Sequence, residues 1–166
     1  MTRISIKDNA YKSSASAILH QWVFDYSNPK NYIADNDIQI RNNCDKILGE
    51  FAKTITSQMQ EIIEQVPEPT REVPFPENPN KDEIAECKKA LKKIESIRTK
   101  LINASIPPIE KHYKSDRKYL DSLVQVKSVD VELFMQLSEL DVDKLDEIEE
   151  LLQKRDSILS IYKVSI

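Results

Sequence analysis

Residues 67–80 read Pro67-Glu68-Pro69-Thr70-Arg71-Glu72-Val73-Pro74-Phe75-Pro76-Glu77-Asn78-Pro79-Asn80 and hold five of the chain's eight prolines. Proline has no backbone N–H and a fixed φ, so neither a helix nor a central strand runs through this stretch. Apolar residues at helical spacing lie on both sides of it. The break predicts a helical hairpin head over 1–66, a linker over 67–80 and a coiled-coil rod over 81–166.

Upstream, Tyr11, Ala15, Ile18, Leu19, Trp22, Val23 and Tyr26 form one wide apolar stripe, which predicts a helix over 11–27 stopped by Ser27-Asn28-Pro29. A second helix is expected over 36–66, with Asp35 or Asp37 as its cap and a stripe running from Ile40 through Phe51 to Val66. The expected head core is Ile18, Leu19, Trp22, Leu48 and Phe51. At 1.5 Å per residue the first helix is ~25 Å long and the second ~45 Å. The overhang of Ile55–Val66 therefore needs another chain, or the return of this one.

Downstream, Asn80-Lys81-Asp82-Glu83 has the form of a capping box that opens a helix. Ile84, Cys87, Leu91, Ile94 and Leu101 alternate three and four, with Arg98 in the missing slot. Pro107-Pro108 predicts a kink. A further helix carries Ile109, Tyr113, Leu120, Leu123 and Val124, followed by a looser stretch over Val126–Asp130 and a short cluster of Leu133, Phe134 and Leu137. The last helix begins near Asp141 or Asp143. It holds Leu145, Ile148, Leu152, Leu159, Tyr162 and Ile166 in register, with Arg155 in its one polar slot. The expected partner-binding seam is Ile84, Leu91, Ile94, Leu101, Leu145, Ile148, Leu152 and Leu159.

Composition narrows the chemistry. The 166 residues contain one glycine, Gly49, and 31% charged residues. So little glycine removes the usual material of hairpins, phosphate loops and strained catalytic turns, and an all-α chain follows. His20 and His112 are far apart. Cys44 and Cys87 have no Cys or His at zinc spacing, and read as buried reduced thiols. Asp141, Asp143 and Asp146 lack the glycine and spacing of a calcium loop and read as capping acids. No catalytic residue, metal, cofactor or small-molecule substrate is expected, and the chain is not expected to be an enzyme. No apolar run approaches the ~18–20 residues of a membrane helix, and Met1–Asp8 has no apolar signal core. The expected location is nuclear or cytoplasmic, and not secreted. Pro76-Glu77-Asn78-Pro79 fits a PxxP ligand, but with only Arg71 as a nearby basic anchor it reads as plain linker.

Charge is unevenly spread. Residues 88–118 carry ten Lys and Arg against three acids, and residues 130–156 carry ten acids against three bases. Such blocks pair within a chain, or order it against partners of matching sign. Tyr113 and Tyr119 inside the basic block raise the question of nucleic-acid binding. The acidic net charge of −4 and the place of Tyr113 on the apolar stripe argue against it.

The run Ile38-Gln39-Ile40-Arg41 through Phe51 and Met59, then Val66-Pro67-Glu68-Pro69 and Pro74-Phe75-Pro76-Glu77, then a charged heptad helix from Lys81, resembles subunits of the MIND kinetochore complex. The resemblance covers residues 36–105 and lies in the order of parts. It implies a four-chain rod with helical heads that joins inner-kinetochore protein at centromeres to the microtubule-binding outer complex. It brings no catalytic residues.

These readings converge on a scaffold subunit whose partners are other helical or coiled-coil chains. A self-contained helical bundle acting as an adaptor or immunity-type binding module is the first alternative, and a nucleic-acid-binding helical module the second. The rod form predicts self-association of the isolated chain, because an uncovered 3-4 seam is a long apolar stripe. It also predicts release of a head fragment when the linker is cut.

Overall fold

The computed structural model describes Ala17, residues 33–103 and residues 120–163. The expected helix over 11–27, with Ile18, Leu19, His20 and Trp22, lies outside the described residues, apart from Ala17, which is helical. So do the Pro107-Pro108 break, His112, Tyr113 and Tyr119. Among the described residues there are four α-helices and no strand. They are α1 (Ile33–Ile63), α2 (Lys81–Asn103), α3 (Leu120–Ser138) and α4 (Leu145–Lys163), with a 3-10 turn at Val142–Lys144 before α4.

The proline-rich stretch is the turn of a hairpin. α1 and α2 pack side by side across it, so the overhang of α1 is met by the return of this same chain. Ile55 is fully buried, and Met59 and Ile62 pack against the core. Asn80 opens α2, its carbonyl accepting the Ile84 N–H at 3.1 Å. The Asn80 N–H, which a capping box would give to Glu83, is donated to Asn78 Oδ1 at 2.8 Å. Asn78 in turn donates its amide to the Ile62 carbonyl at 2.9 Å, which satisfies one of the last carbonyls of α1. A side chain from the turn thus ties the two helix ends together.

Gly49 sits where Arg98 of α2 crosses α1 to reach Asp45, its Nε 2.7 Å from Oδ1. A β-carbon at Gly49 would meet the Arg98 guanidinium at 3.2–3.3 Å. That group is the end of a flexible side chain, and the half-exposed pair it forms contributes about 1 kcal/mol. Alanine in a helix interior gains about 1 kcal/mol over glycine. Gly49→Ala should therefore leave stability level or raise it slightly in a urea melt. A loss above about 1.5 kcal/mol, the smaller steps of overpacking, would mean that the guanidinium cannot move.

The second hairpin is α3 and α4. Asp141 caps the turn, its carboxylate accepting from the Val142 N–H at 2.7 Å, and Lys144 donates to the Glu139 carbonyl at the end of α3. The stretch over Val126–Asp130, expected to be loose, is regular helix. Its β-branched residues, serine and aspartate are weak helix formers. Tertiary contacts override them: Val126, Val129 and Asp130 are buried, and they join Leu133 and Leu137 at three-four spacing.

The hairpins pack on each other. Asn78 ties the end of α1 to the start of α2, and Lys144 ties the end of α3 to the start of α4, so each hairpin is antiparallel. Lys93 meets Asp146 and Glu149, and Lys100 meets Glu149, so α2 and α4 run the same way. The helices alternate up, down, up, down around a shared core that includes Ile47, Phe51, Ile94, Ile97, Leu133 and Ile148. Cleavage within residues 64–77 should thus yield fragments that co-elute on gel filtration and part only in denaturant. Release of a free fragment of about residues 1–66 from native protein would contradict this packing.

Candidate interaction surfaces and the buried charge cluster

At the centre of the bundle the one polar slot of α4 is filled by Arg155, which is 1% exposed. Its Nε donates to Asp130 Oδ1 of α3 at 2.8 Å, and its Nη1 donates to Asp37 Oδ1 of α1. Asp37 and Asp130 are both fully buried. Asp37 also pairs with Arg41 one turn on, at 2.9 Å, and Arg41 lies 3.8 Å from Asp156. Two arginines and two aspartates give the inner cluster a formal charge of zero. That neutrality makes its burial tolerable. The cluster joins residues 118 positions apart and bonds three helices in one geometry.

The seam residues expected to bind partners fall inside this chain. Ile94, Leu101, Leu145, Ile148 and Leu159 are buried in its core, while Ile84, Leu91 and Leu152 are half-buried. Leu48 and Phe51, expected in the head core, are fully buried on α1. Sequence reading missed Asp37 and Asp130 because they look like capping and surface acids. The signal available was Arg155, a strong cation in an apolar stripe, which demands acidic partners.

The two charge blocks meet along α2 and α4. Lys93 Nζ lies 3.1 Å from Asp146 and 3.0 Å from Glu149, and Lys100 Nζ lies 3.3 Å from Glu149. Hydrogen bonding from Lys93 holds the Glu149 carboxyl below the ordinary range, helped by Lys100 and opposed by partial burial. A lowered folded value means that its stabilisation is present above the unfolded value and lost as pH falls through the folded one. Glu149→Gln should lower stability at neutral pH and reduce its loss on acidification. An unchanged acid limb in pH-dependent urea melts would show that the pair contributes nothing. Below these pairs a shallow groove of about 180 Å³ is lined by Ile97, Leu101, Leu152 and Asp156, among others. Lys88, Lys89 and Lys92 remain exposed on the outer side of α2.

Burial pushes the Cys44 thiol up to about 12, with Arg155 opposing, and burial followed by Glu83 and Glu86 raises Cys87. Both thiols are free. A thiol reagent at pH 8 should label neither quickly in native protein and both in denaturant. Rapid native labelling of Cys44 would mean the centre of the bundle is open.

Apolar side chains also remain outside. Val124, Val131 and Met135, 69%, 40% and 64% exposed, recur on the outer face of α3. On the α1–α2 turn Phe75 is 90% exposed. Among the described residues no group of three or more metal-ligating side chains gathers, and no helix is long and apolar enough to cross a membrane. The chain matches no protein-family profile, no curated protein and no solved structure. Its class therefore rests on its own geometry: an all-α protein.

Proposed function

We propose that this chain is a non-enzymatic structural subunit of a hetero-oligomeric complex, a helical bundle that holds its own core and offers its outer faces to other helical chains. The supporting observation is where apolar surface falls. The expected seams are occupied within the chain, while Val124, Val131 and Met135 form an exposed row on α3. Residues spaced by four and seven on a helix present one face, the form in which a partner helix is bound. Val131→Asp with Met135→Asp should remove the chain from its complex in cells, read by native co-purification. Both sites are surface sites, so stability should change by no more than about 0.5 kcal/mol each. Retention of every partner by this double variant would defeat the proposal.

The proposed setting is the kinetochore, where the complex links inner-kinetochore protein to the microtubule-binding outer complex. Support comes from the resemblance of residues 36–105 to MIND subunits in the order of parts, helical hairpin, proline-acid linker and charged heptad helix. In that setting the helical bundle acts as a head that docks against the other chains. A tagged chain should concentrate at centromeres during mitosis. An even distribution through division would end the kinetochore setting and leave the bundle subunit to its own test.

A further inference from the structure

The turn between α1 and α2 is a built structure. The Thr70 N–H donates to the Val73 carbonyl, and the Val73 N–H donates to Thr70 Oγ1, each at 3.0 Å. Asn78 anchors the far side to the end of α1, and Asn80 donates its amide to Gln65 Oε1 at 2.9 Å. Between these ties stands Val73-Pro74-Phe75-Pro76. The two prolines fix φ on either side of Phe75, and each pushes its preceding residue, Val73 and Phe75, toward extended backbone. Phe75 is thus held in an extended segment at 90% exposure, with Val73 beside it at 51%. An aromatic ring so exposed keeps apolar surface in water that burial against a partner removes, and an already ordered loop sacrifices little entropy on binding.

We infer that Phe75 is a docking anchor that inserts into an apolar pocket of a partner protein whose rim carries Lys or Arg. The rim follows from charge. Residues 64–77 hold Glu64, Glu68, Glu72 and Glu77 against Arg71, a balance of −3, and all are exposed. Glu77 is engaged with Lys81 at 3.1 Å, an exposed pair that a stronger cation displaces readily. The same balance sets the loop against an anionic membrane. Phe75 supplies the buried aromatic contact that dominates an interface, and the acids around it steer and orient the encounter. The inference deepens the structural-subunit proposal and rests on it, but it uses a surface separate from the α3 face.

The test places the photo-crosslinker p-benzoylphenylalanine at position 75 of the full chain in its own cells. The expected adduct is with one partner protein, at residues of an apolar pocket flanked by Lys or Arg. That partner, purified, should bind the wild-type chain and bind Phe75→Ala roughly tenfold more weakly or worse, the loss expected of an aromatic anchor. A synthetic peptide of residues 68–79 should compete for it, and binding should weaken as salt is raised. Because Phe75 is exposed, the alanine variant should melt like wild type. No adduct, adducts only to this chain or a second copy of it, or undiminished binding by Phe75→Ala would overturn the inference. If partners survive Phe75→Ala but are lost with Val131→Asp and Met135→Asp, the structural-subunit reading stands and the docking anchor fails. If a Phe75-dependent partner is found while the α3 variants are neutral, the anchor stands and the α3 face fails.

Discussion

Replacing Arg155 with leucine is expected to destabilise the isolated chain by about 3–5 kcal/mol, the cost of removing one partner from a buried ion pair. The loss is large because the substitution leaves two fully buried carboxylates, Asp37 and Asp130, without the cation that joins them. For a chain of this size the midpoint of thermal unfolding should fall by roughly 10 °C or more. Removing the whole cluster should behave differently. The triple change Arg155→Met, Asp37→Leu and Asp130→Leu exchanges desolvated charge for apolar packing, and Arg41 retains Asp156 nearby. Its stability should return to within about 1 kcal/mol of wild type, or exceed it, as buried ion pairs replaced by apolar residues often do. Comparable destabilisation by the single and triple changes would mean that packing, and not charge, decides this site.

The second large effect is expected at Ile148, fully buried on α4 and level with Lys93 and Lys100 of α2. Ile148→Asp places an unpaired charge in the core at a cost of several kcal/mol. Against a total stability of about 5–15 kcal/mol, this should leave the chain largely unfolded at 25 °C, as seen by circular dichroism, with no partner present. The outcome separates two roles for the seam. Were Ile148 reserved for another chain, an aspartate there would leave the isolated chain unchanged, or less prone to self-association. Val131→Asp is the control: it adds the same charge on a 40% exposed site of α3 and should cost no more than about 0.5 kcal/mol.

Much of the helical content was legible, because its signals are local. Stripes at three-four spacing marked α1, α2 and α4, Asn80 marked the start of α2, and Asp141 or Asp143 the approach to α4, of which Asp141 is the cap. What the stripes pack against was not legible. A 3-4 seam is the same pattern whether the facing helix belongs to this chain or another. The 67–80 stretch likewise stops a helix, but does not reveal whether the chain then continues outward or turns back. Here the turn is set by Asn78 reaching the Ile62 carbonyl, a contact between residues sixteen apart. The Val126–Asp130 stretch failed for the converse reason: its weak local propensity is overcome by burial and by the Arg155–Asp130 bond. The role of Phe75 was hidden because exposure is a property of the fold. In the sequence it is one apolar residue among prolines.

Two hairpins of one chain close on each other around Arg155. The most direct measurement is a double-mutant cycle between Asp37 and Arg155 in the isolated monomer. Urea melts of Asp37→Ala, Arg155→Ala, the double variant and wild type, at a concentration where ultracentrifugation shows monomer, give the coupling. Packed as described, the two residues should show a coupling above about 1.5 kcal/mol, in the upper part of the range for contacting groups. Additivity within about 0.5 kcal/mol, the behaviour of distant sites, would mean that α1 and α4 do not meet in the single chain.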